Sequence, residues 1–363
     1  MAKISRKELG QLMMVGFEGT TLPDFYYHWL KQGLGGIILF SRNFQNPEQL
    51  AKLTDEIQHA ARPYPAFISI DQEGGRVARL KDPFTHFPSA KTLAQSFHET
   101  GSKDLIYQSA RATALELAAM GIRLNFAPVL DVNSNPENPI IGDRAFSSDP
   151  QETFELAMEV MRGLLDGGVI SCGKHFPGHG STTKDSHLEL PVVNKTLEEM
   201  QKEELIPFQK AIFQKIPMIM TAHVLYPFLD PENPATLSEK IIQDLLRYQL
   251  GYDGVVISDD LEMKAIAEKY SWREIVAKTM NAGVDLLLPC KSQSIQEEVF
   301  ENLIDCVDAK EISSDRINQS LKRIKHLKNQ YLKDVRPFPK EEWQKIIGSK
   351  DHQALAKNLN QFS

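Results

Sequence analysis

Eight short apolar runs recur along this chain with helix-patterned segments between them: LMMVGF (12–17), GIILF (36–40), AFISI (66–70), RLNFAPV (123–129), VISCG (169–173), PMIMTA (217–222), GVVIS (254–258) and VDLLL (284–288). None alternates apolar with polar residues as a half-exposed strand would, so each reads as a parallel strand buried on both faces. The segments between them carry helix signals. Phe154, Met158, Met161 and Leu165 share one face of 151–165, with Gly167 and Gly168 as a stop, and Thr196/Glu199 and Ser271/Glu274 have capping-box spacing. Strand and helix alternating eight times predict an α/β fold, a (β/α)8 TIM-type barrel, which typically takes ~250 residues. An open doubly wound sheet is the alternative, weakened because no glycine-rich dinucleotide fingerprint follows the first strand.

Past residue 290 the strand pattern stops. Ile317, Leu321, Ile324 and Leu327 recur at helical spacing, and another helical segment is expected after Pro339. The chain therefore reads as a single domain over 1–363, with the barrel over about 8–292 and a C-terminal helical extension covering it over about 293–363.

Charge narrows the partners. The 41 Lys and Arg are scattered among 48 Asp and Glu, for a net charge of −7, so neither nucleic acid nor a membrane surface is an expected partner. No apolar run reaches the length of a signal peptide or a membrane span, so a cytoplasmic location is expected. Cys172, Cys290 and Cys306 are odd in number and lack CxxC spacing, which favours buried, reduced thiols.

A barrel concentrates chemistry just past the C-terminal ends of its strands. Those positions hold Asp71, Asp131, Lys174, His175, His223, Asp259 and Asp260, and the long loop VNSNPENPIIGDRAFSSDP adds Arg144. The stretch KHFPGHGSTTKDSHLELP (174–191) is the richest. Its His175, His179, His187 and Asp185 suit zinc in number, but Lys174 would bring a positive charge beside His175, and His187 lies twelve residues further on. No metal and no other cofactor is expected, and His179 reads as a loop packing residue.

DQEGGRVARL (71–80), IGDRAF (141–146), KHFPGHGSTTKDSH (174–187) and SDDLEM (258–263), in this order, resemble glycoside hydrolase family 3, and more closely its bacterial exo-β-N-acetylglucosaminidases, over roughly residues 8–290. The resemblance implies a retaining, two-step mechanism in which Asp259 forms the covalent glycosyl intermediate. Asp260 reads as a loop anchor. The proton donor and acceptor implied is His187, paired with Asp185; an imidazole has an ordinary pKa of ~6.5, which a carboxylate partner raises. Gly178, Gly180, Ser181, Thr182 and Thr183 are expected to make that loop flexible enough to swing the dyad over the sugar.

Asp71, Arg79, Arg144, Lys174 and His175 match family positions that hydrogen-bond the terminal sugar. Alternatives stay open for Arg79 as a surface salt bridge and for Glu73 or Arg76 as a buried pair within the DQEGGR turn. The lack of the open-sheet domain that many family 3 β-glucosidases carry after the barrel favours N-acetylglucosamine over glucose. The implied substrate is a small carbohydrate of cell-wall recycling, N-acetylglucosamine β-linked to anhydro-muramic acid, with or without peptide, acted on by a monomer. A phosphate-dependent phosphorylase using the same Asp259 and His187 is the alternative enzyme, a β-glucosidase of the same family another, and a non-catalytic sugar-binding module a third.

Overall fold

The computed structural model describes residues 4–182, 190–333 and 335–363. Seven strands form one parallel sheet in which each pairs with the next in sequence: β1 (Met14–Val15), β2 (Gly36–Leu39), β3 (Phe67–Ile70), β4 (Leu124–Asn125), β5 (Ile170–Phe176), β6 (Met218–Thr221) and β7 (Val255–Ile257). Every residue of these strands is buried, which accounts for their unbroken apolar pattern. Helices connect them, among them Pro47–Ala60, Asp104–Ala119, Pro150–Asp166 and Leu205–Phe213, and the sheet curls with the helices packed outside it.

The eighth apolar run does not extend into a full strand. Leu286 and Leu287 make single parallel bridges, to Ile257 beside β7 and to Met13 beside β1, so this run touches both edges of the sheet. The Leu287 carbonyl accepts from Met14 N–H at 2.9 Å, and the Leu286 carbonyl accepts from Ser258 N–H at 3.0 Å.

Both predicted capping boxes form, at Thr196 with Glu199 and at Ser271 with Glu274. The Pro150–Asp166 helix buries a different face from the one its large side chains suggest. Thr153, Leu156, Ala157, Met161 and Leu164 are buried, whereas Phe154, Met158 and Leu165 are only half-buried. The cause is the neighbouring Asp104–Ala119 helix, which comes so close that a methyl group on Gly163 would meet the Tyr107 carbonyl at 2.6 Å and one on Gly167 would meet the Ala114 methyl at 2.3 Å. Small residues, not large ones, set that contact.

The tail is helical: Gln293–Asp308, Ser314–Tyr331, Lys340–Ile346 and Lys350–Leu359. Ile317, Ile324 and Leu327 are buried as expected, with Leu321 half-buried. Glu116, buried on the Asp104–Ala119 helix, holds the end of the tail by accepting from Gly348 N–H at 3.0 Å and pairing with His352 Nδ1 at 2.9 Å. Cys172, Cys290 and Cys306 are buried free thiols. No helix among the described residues is long and apolar enough to cross a membrane.

Candidate active site

The polar strand-end residues converge where the connections leave the C-terminal edge of the sheet. After β3 the chain turns through a hairpin of Gln72–Gly74 against Val77–Ala78. Gly74 adopts φ +103° there, and its Cα lies so near the Pro88 carbonyl that a methyl would meet it at 2.4 Å, so only glycine fits. The hairpin is buttressed from β4: the Asn125 side chain accepts from Gln72 N–H and donates to the Gln72 carbonyl, each at 2.9 Å. This turn presents Asp71, Glu73 and Arg79 together.

From β5, Lys174 reaches the same point. The strand runs three residues past its expected end, and its pairing with β6 slips between Gly173 and Phe176. Lys174 Nζ donates to Asp71 Oδ1 at 2.9 Å and lies 2.6 Å from Glu73 Oε1. Arg144, from a short 3-10 turn (Gly142–Arg144) in the long loop after β4, grips Glu73 with both Nε and Nη2, at 2.9 and 2.8 Å. Arg79 Nη2 donates to Asp71 Oδ2 at 3.1 Å. The result is a continuous chain of charge-assisted hydrogen bonds, Arg79–Asp71–Lys174–Glu73–Arg144, in which each group fixes the next.

Burial would push both carboxyls up, but Lys174 and Arg79 hold Asp71 below its ordinary value, and Arg144 and Lys174 do so more strongly for Glu73. Burial likewise disfavours the Lys174 charge, and Asp71 and Glu73 more than restore it. Arg79 is therefore the half-buried, outer end of this network, paired with Asp71. Glu73 and Arg76 are not a pair: Arg76 turns outward to Asp143 at 2.8 Å, on the exposed side of the loop.

His175 points the other way, to the fully buried Asp131 that follows β4. Its Nδ1 pairs with Asp131 Oδ2 at 2.8 Å, and His179 N–H donates to Asp131 Oδ1 at 2.7 Å. A carboxylate accepts only, so His175 carries its proton on Nδ1 toward Asp131. His179 is a packing residue: it is buried, its Nδ1 meets Thr182 Oγ1 at 2.9 Å, and burial pushes it down to about 4.

Asp259 follows β7. Its Oδ1 accepts from Asp260 N–H at 2.8 Å. Burial alone would raise this carboxyl, but His175, His223, the Asp260 N–H and Lys174 outweigh that and keep it below its ordinary value. Asp260 has the anchoring role expected of it, its Oδ1 accepting from Glu262 N–H at 3.0 Å and Cys290 N–H at 3.1 Å, while burial pushes its carboxyl up to about 6. Two adjacent aspartates thus have opposite environments, one held ionised and one eased toward neutrality.

Asp185 and His187 lie outside the described residues. The start of their loop is described, and it differs from expectation. Gly178 and Gly180 permit close packing more than freedom, since a methyl on Gly180 would overlap the Val132 carbonyl at 1.6 Å and one on Gly178 would meet Glu204 Cβ at 2.7 Å. Asn138 Nδ2 donates to the His179 and Gly180 carbonyls at 2.8 and 3.0 Å, Asn135 Nδ2 to the Thr182 carbonyl at 3.0 Å, and Ser181 Oγ bonds Ser134 Oγ at 2.7 Å and also Glu204. Up to Thr182 the loop is a pinned root. Thr183 lies outside the described residues.

No group of three His, Cys, Asp or Glu side chains among the described residues is arranged to hold a metal ion. Three residues of the site were not assigned from the sequence: Glu73, Asp131 and His223. Asp131 and His223 stand at strand ends, which is the available signal; Glu73 is read from the sequence only as a partner within its own turn, because its actual partners come from β5 and from a loop 71 residues away.

The chain as a whole is similar to known proteins. A β-hexosaminidase of Thiobacillus denitrificans is 42% identical over 298 residues, covering 81% of this chain and 82% of its own. The solved glycoside hydrolase family 3 β-N-acetylglucosaminidase from Paenibacillus sp. superposes with a TM-score of 0.92 at 37% identity, over 100% of this chain and 69% of that one. NagZ from Neisseria gonorrhoeae, solved in complex with N-trifluoroacetyl-D-glucosamine, superposes with a TM-score of 0.81 at 32% identity over 97% of each chain, and the same protein has been solved with a zinc ion. The glycosyl hydrolase family 3 N-terminal domain matches residues 4–327, and this chain belongs to that family.

Proposed function

We propose that this family 3 glycoside hydrolase is a retaining exo-β-N-acetylglucosaminidase. Asp259 attacks the anomeric carbon and becomes the covalent glycosyl ester; His187, oriented by Asp185, protonates the departing oxygen and then takes the proton of the incoming water. Asp71, Arg79, Arg144, Lys174 and His175 bind the terminal sugar's hydroxyls, and Glu73 and Asp131 hold those binders in place. The observation that carries this reading is Asp259, half-buried at the end of β7 and held below its ordinary value by His175, His223 and Lys174, beside a fixed set of polar side chains suited to hydroxyl recognition. A nucleophile must be anionic before it attacks, and here the surroundings keep it so.

The bridges of Leu286 and Leu287 to both edges of the sheet support the further proposal of a complete (β/α)8 barrel, forming one domain with the helical cover. Action in the cytoplasm, as a monomer, on N-acetylglucosamine β-linked to anhydro-muramic acid is carried by the resemblance to bacterial relatives. The deciding experiment is release of phenol from a chromogenic aryl N-acetyl-β-glucosaminide, with and without inorganic phosphate, with the product anomer followed by NMR. Phosphate-independent release of β-N-acetylglucosamine is expected. An α-anomer as first product, or a sugar 1-phosphate formed only with phosphate, would overturn the hydrolytic retaining reading.

A further inference from the structure

His223, which follows β6, is buried and performs no step of the mechanism above. Its Nε2 lies 3.0 Å from the Asp260 carbonyl oxygen. A carbonyl only accepts, so Nε2 carries a proton and donates it. The peptide whose carbonyl it grips follows Asp260, and the N–H of Asp260 itself holds Asp259 Oδ1 at 2.8 Å. Asp260 is thereby fixed on both sides, by His223 at its carbonyl and through its own side chain at Glu262 and Cys290.

The ring is in turn held from behind. Its Nδ1 meets Thr236 Oγ1 at 2.7 Å, and that hydroxyl is also 2.9 Å from Thr221 Oγ1 and donates to the Ala222 carbonyl at 3.0 Å. Thr221, Thr236 and His223 are all fully buried. The Thr236 hydroxyl lies within reach of both Nδ1 and the Ala222 carbonyl, and this ties the ring to the backbone that follows β6. The ring is thereby held at both nitrogens, with Nε2 aimed at the peptide beside Asp259.

We propose that His223 is a positioning residue for the nucleophile: by holding the Asp260 carbonyl it fixes the peptide that orients Asp259, leaving Oδ2 to attack. This rests on Asp259 being the nucleophile. His223 touches no reacting atom in this scheme. It acts through Asp260, so its loss should be felt in the chemical step more than in sugar binding.

The test uses the full chain with His223→Ala, His223→Gln and Thr236→Val, assayed on 2,4-dinitrophenyl N-acetyl-β-glucosaminide. His223→Ala is expected to lower kcat by ~10- to 100-fold, the scale seen when a partner that orients a reacting ligand is removed, with KM within about threefold. The acid limb of the kcat/KM profile should move to higher pH, because the Asp260 N–H that stabilises the Asp259 carboxylate is no longer held in place. His223→Gln, which retains an N–H donor, should recover part of kcat. Thr236→Val should move both readouts in the same direction by less, and it carries the test if the alanine variant does not fold.

A rise in KM at unchanged kcat, or an unmoved acid limb, would overturn the proposal. A 5-fluoro-N-acetylglucosaminyl inactivator separates the two readings: label on any carboxylate other than Asp259 in the wild-type protein sinks the nucleophile itself, whereas label on Asp259 with an unmoved acid limb in the variants sinks only the role of His223.

Discussion

Two ionic networks among the described residues differ in what surrounds their carboxylates. In the first, at the C-terminal edge of the sheet, Asp71 and Glu73 share Lys174 between them and are flanked by Arg79 and Arg144, with Asp71 and Arg79 still partly open to solvent. In the second, at the eighth apolar run, Asp285 is wholly buried and accepts from Arg247 Nη2 at 2.6 Å, Val256 N–H at 3.0 Å, Ser320 Oγ at 2.6 Å, Arg316 Nη2 at 3.0 Å and Arg323 Nη1 at 3.4 Å. Arg316, Ser320 and Arg323 all belong to the Ser314–Tyr331 helix, so this single carboxylate ties the tail to the sheet. A carboxylate with every direction occupied has no capacity left for a ligand and serves the fold. One whose partners face an opening serves recognition. Substitutions in the two places should therefore separate activity from stability.

The largest effect is expected at the nucleophile. Asp259→Asn should reduce turnover by roughly 10⁴-fold or more, as removal of a covalent catalyst does, while calorimetric binding of N-acetylglucosamine and the melting temperature stay close to wild type. Asp260→Asn should cost much less activity and act mainly through its anchoring bonds. Comparable losses of kcat in both variants would mean that the two aspartates do not divide the roles as their environments suggest.

His187→Ala comes next. Proton transfer from a placed side chain is worth ~10² to 10⁴ in rate, but only in proportion to how badly the leaving group departs. A disaccharide should suffer far more than an aryl glycoside with an acidic phenol. Azide, which needs no base, should partly rescue the aryl substrate and give a β-glycosyl azide. Equal slowing of both substrates without rescue would make His187 a structural residue.

The contrast between the networks also explains what could be read before the structure. Strand-end residues such as Asp71, Lys174 and Asp259 were legible because a buried parallel strand announces itself by composition, and the residue after it falls at the mouth. Glu73 with Arg144, or Asp285 with Arg316, could not be paired from the sequence, since each joins elements that only the closed fold brings together. The pinned root of the β5 loop was misread for a related reason. Gly178 and Gly180 look like freedom in one dimension, and the Val132 carbonyl and Glu204 that crowd them come from elsewhere in the chain.

Removing the structural carboxylate should reverse the pattern of Asp259→Asn. Asp285→Ala leaves three arginines facing one another in a buried site, and breaking such a group typically costs ~3–5 kcal/mol. Urea unfolding should show this, while kcat per folded molecule stays near wild type. The arginines outweigh burial and bring the Asp285 carboxyl from 3.8 to about 2, a difference worth roughly 2.5 kcal/mol. Because the folded value is the lower one, that stability is complete above about pH 4 and is lost as pH falls through about 2. Asp285→Asn should lack this portion of the acid sensitivity. If its acid unfolding curve runs parallel to wild type, the carboxylate is not the group that the tail depends on.

The smallest effect concerns a cation on the same helix that has no such partner. Lys328 is buried and donates from Nζ to Gln11 Oε1 and to the Gly35 carbonyl, each at 2.8 Å, over the Phe67 ring at 4.8 Å. It makes no ion pair among the described residues, and burial pushes its amine down to about 7 from 10.5. Between those values the unfolded chain holds a proton that the folded chain releases, so this group makes stability rise with pH across that window and contributes its full penalty below about pH 7. Lys328→Met removes the titration. It also leaves two acceptors without their donor, at about 1 kcal/mol each, so the sign of the change at any one pH is a contest between these terms. The pH dependence is not: relative to wild type, the variant should lose on the order of 3 kcal/mol between pH 7 and 9.5, measured as the difference between two urea midpoint series. Parallel series would show that Lys328 stays charged throughout, and that two neutral acceptors and an aromatic face suffice to bury a cation where Asp285 needs a full shell of donors.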